Sequence, residues 1–166
     1  MIELARVCKR TDTVQEYDQI QAAQHQLEGA IANLFMGNWP AAITLAGAAE
    51  DILPPHDSNI DFFSFIKVRA ATDHGRSEKQ IADMLNELRN WLKHDQTKRS
   101  NYKAVQEITQ ADAIVMILRA HSRFYSHQAP VEKNEILSEN LEVFTTWFRA
   151  NYSDWLEEQK IIEKQQ

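Results

Sequence analysis

Apolar residues near the start of the chain, Ile20, Ala23, Leu27, Ala30, Ile31 and Leu34, recur mostly at steps of three and four. This spacing predicts a helix from about Val14 to Met36 with one buried stripe, ended by Gly37-Asn38. Pro40 suits the first turn of a second helix, where its missing N–H has no partner to lose, and Pro54-Pro55 stops that helix near Leu53. Between them the segment from Ala41 to Leu53 is apolar nearly all round and built of small residues, so it is expected to be the central helix of a bundle. The stretch Ile60 to Val68 is short and rich in aromatic and branched residues; with no strand partner elsewhere, it reads as a short helix. Ser77 with Gln80 forms a capping box ahead of Ile81, Met84, Leu85, Leu88 and Leu92, which predicts a helix to His94. Another helix begins at about Tyr102 or Thr109 and runs through Ala111, Ile114, Val115, Leu118 and Phe124. Beyond Pro130 a last helix holds Ile136, Leu141, Phe144, Trp147, Phe148 and Trp155. The pattern predicts an all-α, mostly antiparallel bundle of five or six helices.

Composition narrows this further. Four Gly and four Pro among 166 residues are under half the usual share of roughly 12%, too little punctuation for a turn-dense all-β fold. The length suits one domain over residues 1–166. A net charge of −6 supplies no global positive field for nucleic acid or an anionic membrane, so a polyanion needs a local site. Cys8 is the only cysteine, which excludes an internal disulfide framework and a Cys-based zinc site. The segment Met1 to Arg6 lacks the apolar core of a secretory signal, and no apolar run of about 18 residues occurs. A cytoplasmic protein with no membrane partner is expected.

Among chemical signatures, a Gly-rich phosphate loop, His-Glu-x-x-His, Glu-x-x-His and Gly-x-Ser-x-Gly are all missing. Neither a metal nor another cofactor is expected, and His25 and His121, which fall within predicted helices, read as surface or core residues rather than ligands. The informative segment is Leu88-Arg89-Asn90-Trp91-Leu92-Lys93-His94, which fits Arg-(Asn/His/Asp)-x-x-x-His. RNA cleavage by its own 2′-hydroxyl requires a proton acceptor, an acid at the leaving oxygen and positive charge for the phosphate. A histidine titrates near neutrality and an arginine fork can hold a phosphate, so such a pair needs no metal ion. On a straight helix Asp83, Glu87, Asn90 and His94 share one stripe opposite Ile81, Leu85, Leu88 and Leu92. Arg89 lies about 140° from His94. The two meet one phosphate only if Arg89 reaches around, the helix ends at His94, or a second subunit supplies the partner.

The Arg89 to His94 motif, together with the helix Ala42 to Leu53 carrying Glu50, resembles the HEPN superfamily of small all-helical domains. The likeness to the fold covers about residues 15–125, leaving a helical extension at about 131–162. It implies a metal-independent endoribonuclease of toxin or defence type, with the site formed across a homodimer and an antitoxin or other protein as a further partner. Transferred by position, His94 is the general acid/base, Arg89 binds the scissile phosphate, Asn90 orients it and Glu50 supports them. Gln96 stands where some HEPN toxins carry a modifiable tyrosine, so regulation by that route is not expected.

Plainer readings stand beside each of these. The Arg89 to His94 end can be a solvated helix terminus, with Lys93 and His94 favourable at the negative end of the dipole. Glu50, near the stripe of Ile43 and Ala46, can orient Arg89 or His94, or simply hold the register of the bundle. Lys93, Lys98, Arg99 and Lys103, with Tyr102 between them, form either an RNA-backbone patch or an ordinary loop. Phe144, Trp147, Phe148, Tyr152 and Trp155 have the spacing of core or dimer packing rather than a stacking platform for bases. The rival to a nuclease is therefore a non-catalytic helical interaction or regulatory module.

Overall fold

The computed structural model describes residues 15–53, 67, 68, 71, 72, 75–94, 104–128 and 139–154, and among them there is no strand. Among the described residues are five helices, α1 Gln19–Phe35, α2 Trp39–Ile52, α3 Glu78–Lys93, α4 Gln110–Gln128 and α5 Glu139–Asn151, and residues 67, 68, 71 and 72 are helical as well. The all-α bundle expected from the apolar spacing is present. Most of the Ile60 to Val68 segment, like Cys8, Lys98, Arg99, Tyr102, Lys103, Ile136 and Trp155, lies outside the described residues.

Local capping sets the boundaries. α1 starts at Gln19, later than its apolar pattern alone suggests, because the Asp18 carboxylate accepts the Gln21 N–H at 2.7 Å while the Gln21 side chain accepts the Asp18 N–H. Gly37, at φ 74°, makes the turn out of α1 that a side chain would resist, and Pro40 stands in the first turn of α2. Ser77 and Gln80 close the expected box at the start of α3, and His94 is its C-cap. For α4 the later of the two starts applies: Thr109 and Asp112 exchange hydrogen bonds, N–H to carboxylate at 2.8 Å and N–H to hydroxyl at 3.3 Å.

One apolar core gathers Leu27, Ile31 and Leu34 of α1, Ile43 and Ala46 of α2, Ile117, Ala120 and Phe124 of α4, and Leu141, Phe144 and Phe148 of α5. The helix expected as an extension thus contributes to the same core as α1, α2 and α4. α2 packs against α1, α3 and α4, as its small residues allow. The α3 backbone lies nearest α2 among the described helices, and its Leu88 and Leu92 pack partly buried against the core. Ile81, in the first turn of α3, is fully buried as well, and charged and polar side chains make the remaining contacts.

The α4–α5 contact includes His121, whose ring faces Tyr125 and Phe144 and whose buried Nε2 has no hydrogen-bond partner. Burial holds its pKa below the ordinary 6.5, so the folded protein keeps it neutral where the unfolded chain is protonated. As pH falls below about 6.5 the unfolded state therefore binds more protons, and stability falls with it. Urea melts of wild type and His121→Phe across pH 7.5 to 5 are expected to diverge, the wild type losing stability the more steeply. Parallel curves would show that His121 contributes nothing to the pH response.

Candidate functional site

Glu50 lies in the last turns of α2, 2% exposed, where an ionised carboxylate is costly unless it is matched by positive charge and hydrogen bonds. Three arginines from two helices surround it. Arg119 of α4, itself 3% exposed, donates from Nε and Nη2 to Oε1 at 3.2 and 3.0 Å and from Nη2 to Oε2 at 2.8 Å. Arg89 of α3 donates from Nη1 to Oε2 at 2.8 Å. Arg123, one turn beyond Arg119, donates to the Glu50 main-chain carbonyl at 3.0 Å, and its Nη2 lies 3.8 Å from Oε1. That bond also serves one of the carbonyls a helix terminus leaves unpaired, in an α2 last turn with no basic residue of its own.

The same arginines tie α3 down. Arg119 Nη1 donates to the Asn86 side chain at 3.0 Å and, at 3.5 Å, to the Leu85 carbonyl. Arg89 Nη2 donates to Asp51 Oδ1 at 2.6 Å, and Lys93 Nζ to Asp51 Oδ2 at 2.8 Å. The Arg89 stem lies directly over Gly47, where a Cβ would stand 3.0 Å from Arg89 Cδ. The small-residue face of α2 is thus the bed for the motif arginine. Arg89 Nε is buried without a partner, the cost of aiming both terminal nitrogens at carboxylates.

Among the described residues four cations, Arg89, Lys93, Arg119 and Arg123, face two carboxylates, Glu50 and Asp51, in this cluster. Burial is the chief reason the Arg119 guanidinium is less basic than usual; Glu50 opposes that, and repulsion from Arg89 and Arg123 adds to it. Asp51 is more acidic than usual although its partial burial works the other way, because the Lys93 hydrogen bond and the charges of Arg89 and Lys93 outweigh burial.

Of the residues singled out in the sequence, Glu50 and Arg89 are joined directly, and Lys93 enters through Asp51. Asn90 is half-buried on α3, with a partner of its own. His94 caps α3 with its backbone N–H on the Asn90 carbonyl, and it is exposed. The two-nitrogen fork expected to grip a phosphate is already occupied: Nη1 serves Glu50 and Nη2 serves Asp51. Lys98, Arg99 and Lys103 fall outside the described residues, so the proposed basic patch is represented by Lys93 alone. Arg119, Arg123 and Asp51 were not anticipated. The signal was an arginine set in the apolar register of α4, three residues after Met116 and followed by Arg123 at the next turn. Among the described residues no group of three or more His, Cys, Asp or Glu side chains is placed to hold a metal ion, and no helix is long and apolar enough to cross a membrane.

The chain matches no known protein-family profile, no curated protein and no solved structure.

Two consequences are measurable. Glu50→Gln leaves three guanidiniums around an uncharged group and is expected to cost about 3–5 kcal/mol in urea denaturation. Asp51→Ala, at a partly exposed pair, is expected to cost about 1 kcal/mol or less; equal costs would contradict a buried hub at Glu50. Gly47→Ala, usually worth up to about 1 kcal/mol inside a helix, is expected to give no gain because the new methyl presses on a tethered Arg89. A clear rise in the melting temperature would show that Arg89 yields freely.

Proposed function

We propose that the chain is a metal-independent endoribonuclease of toxin or defence type, acting as a homodimer in the cytoplasm, with His94 as its proton-transfer group. The observation that carries this reading is the pairing of motif Arg89 with buried Glu50 of α2, which fixes the cationic end of α3 beside an exposed histidine. A preset positive charge costs no reorganisation when negative charge builds on a phosphate. His94 removes the 2′-hydroxyl proton, the hydroxyl oxygen attacks the adjacent phosphorus, and the 5′-oxygen leaves with a proton returned from a protonated histidine. The products are a 2′,3′-cyclic phosphate and a 5′-hydroxyl end. Two such helix ends facing across a two-fold axis give one histidine for each proton transfer, which is the reason to expect the dimer. Asn90 orients the phosphate from the same turn, and Glu50 acts through Arg89 as a positioning residue.

One observation favours a second reading. Because both terminal nitrogens of Arg89 are spent on carboxylates, the cluster also suits a purely structural clasp in a non-catalytic interaction or regulatory module that binds a protein partner. His94 separates the two readings better than Arg89 does, since an exposed cap residue can be replaced without opening the core. Purified protein in excess EDTA is expected to cleave a mixed RNA pool to cyclic-phosphate ends, and His94→Ala to lose at least about a hundredfold in rate with an unchanged melting temperature. Full cleavage by His94→Ala, or none by wild type, would leave the module reading in place.

A further inference from the structure

We propose that Arg89 Nη2 and Lys93 Nζ form a binding site for one phosphate diester group, and that Asp51 is the resident carboxylate this phosphate displaces. The inference rests on the reading of the α3 end as an RNA site and adds the identity of its anion subsite and of its internal competitor. Asp51 bridges the two cations with one oxygen each, Oδ1 on Arg89 at 2.6 Å and Oδ2 on Lys93 at 2.8 Å. The two non-bridging oxygens of a phosphate diester are spaced much like those of a carboxylate and can take over both bonds.

Three features make Asp51, rather than Glu50, the exchangeable anion. The Asp51 side chain is 39% exposed, against 3% for Glu50. Among the described residues Arg89 and Lys93 hold it, whereas Glu50 is enclosed by three arginines. It also lies in the last turn of α2, where a negative side chain faces the negative end of the helix dipole and no basic residue of that turn compensates. Arg89 therefore stays anchored to Glu50 through Nη1 while its Nη2 exchanges one oxyanion acceptor for another. Among the described residues the cluster holds four cations against two carboxylates, so a phosphate entering here adds a third negative charge to a cationic surround. This also explains how an acidic chain can present a positive site, since neutralisation by Asp51 hides it until a stronger or multivalent anion arrives.

The test is binding of a fluorescein-labelled 2′-O-methyl oligoribonucleotide, which lacks the attacking hydroxyl, so that affinity is read without cleavage. Asp51→Asn keeps the size and removes the charge, and is expected to bind about tenfold tighter than wild type, with a steeper salt dependence by about one ion. Lys93→Gln is expected to weaken binding, and adding it to Asp51→Asn to abolish the gain. Glu139→Gln, an equal charge change at an exposed position in the first turn of α5, serves as the control and is expected to leave affinity nearly unchanged. The proposal is overturned if Asp51→Asn binds no tighter than wild type, if Glu139→Gln tightens binding as much, or if the gain survives removal of Lys93. Cleavage of unmodified RNA by the same proteins keeps the two ideas apart. Tighter binding with no cleavage by any of them supports the subsite and removes the nuclease; His94-dependent cleavage with unchanged binding by Asp51→Asn does the reverse.

Discussion

A single buried carboxylate organises one side of this molecule. Burying Glu50 without compensation would cost more than a domain of this size can tolerate, so the bundle must bring positive charge to it from outside α2. Arg119 and Arg123 arrive from α4 and Arg89 from α3. The result is directional in a way that apolar packing is not. Each hydrogen bond fixes a register, and the same guanidiniums that neutralise Glu50 reach on to Asn86, the Leu85 carbonyl and Asp51. α1, α2, α4 and α5 share a continuous apolar core; α3 sets partly buried Leu88 and Leu92 against it, buries Ile81, and is tied down further by the charge cluster.

This arrangement gives the motif helix a particular character. A helix held by a few charge-assisted bonds at one end can be placed accurately while its far side remains available for other contacts. Arg89 has two roles that a simple motif reading merges. It is a structural strut through Nη1, and through Nη2 it is a cation held by an exposed and less firmly bound acid. Substitutions at Arg89 therefore disturb the docking of α3, whereas His94, at the exposed cap, stands outside the charge cluster.

The helices were legible in the sequence because their causes are local. Ser77 with Gln80, Pro40, Gly37 and the spacing of Leu27, Ile31 and Leu34 act within a turn or two of chain. Periodicity alone carries α1 back to about residue 14, whereas the Asp18-Gln21 cap starts it at Gln19, and the Thr109-Asp112 pair selects the later start of α4 in the same way. Half of the cluster is also legible: Glu50 as an acid in an apolar helix, Arg89 as part of a motif, and Lys93 as the first of a run of cations. Their partners are not, because Arg119 is 69 residues from Glu50 and nothing local marks which helix supplies the balancing charge. Asp51 was overlooked since an acidic residue at the end of a helix ordinarily reads as solvated surface. Gly47 likewise reads as one more small residue until the Arg89 stem is seen lying on it.

The central claim is that Glu50 docks α3 onto the bundle, and amide hydrogen exchange of Glu50→Gln against wild type tests it most directly. Loss of that charge is predicted to speed exchange across residues 78–93 far more than in α1 or α5, whose apolar contacts are untouched. Unchanged protection of α3, or an equal loss across all five helices, would contradict it.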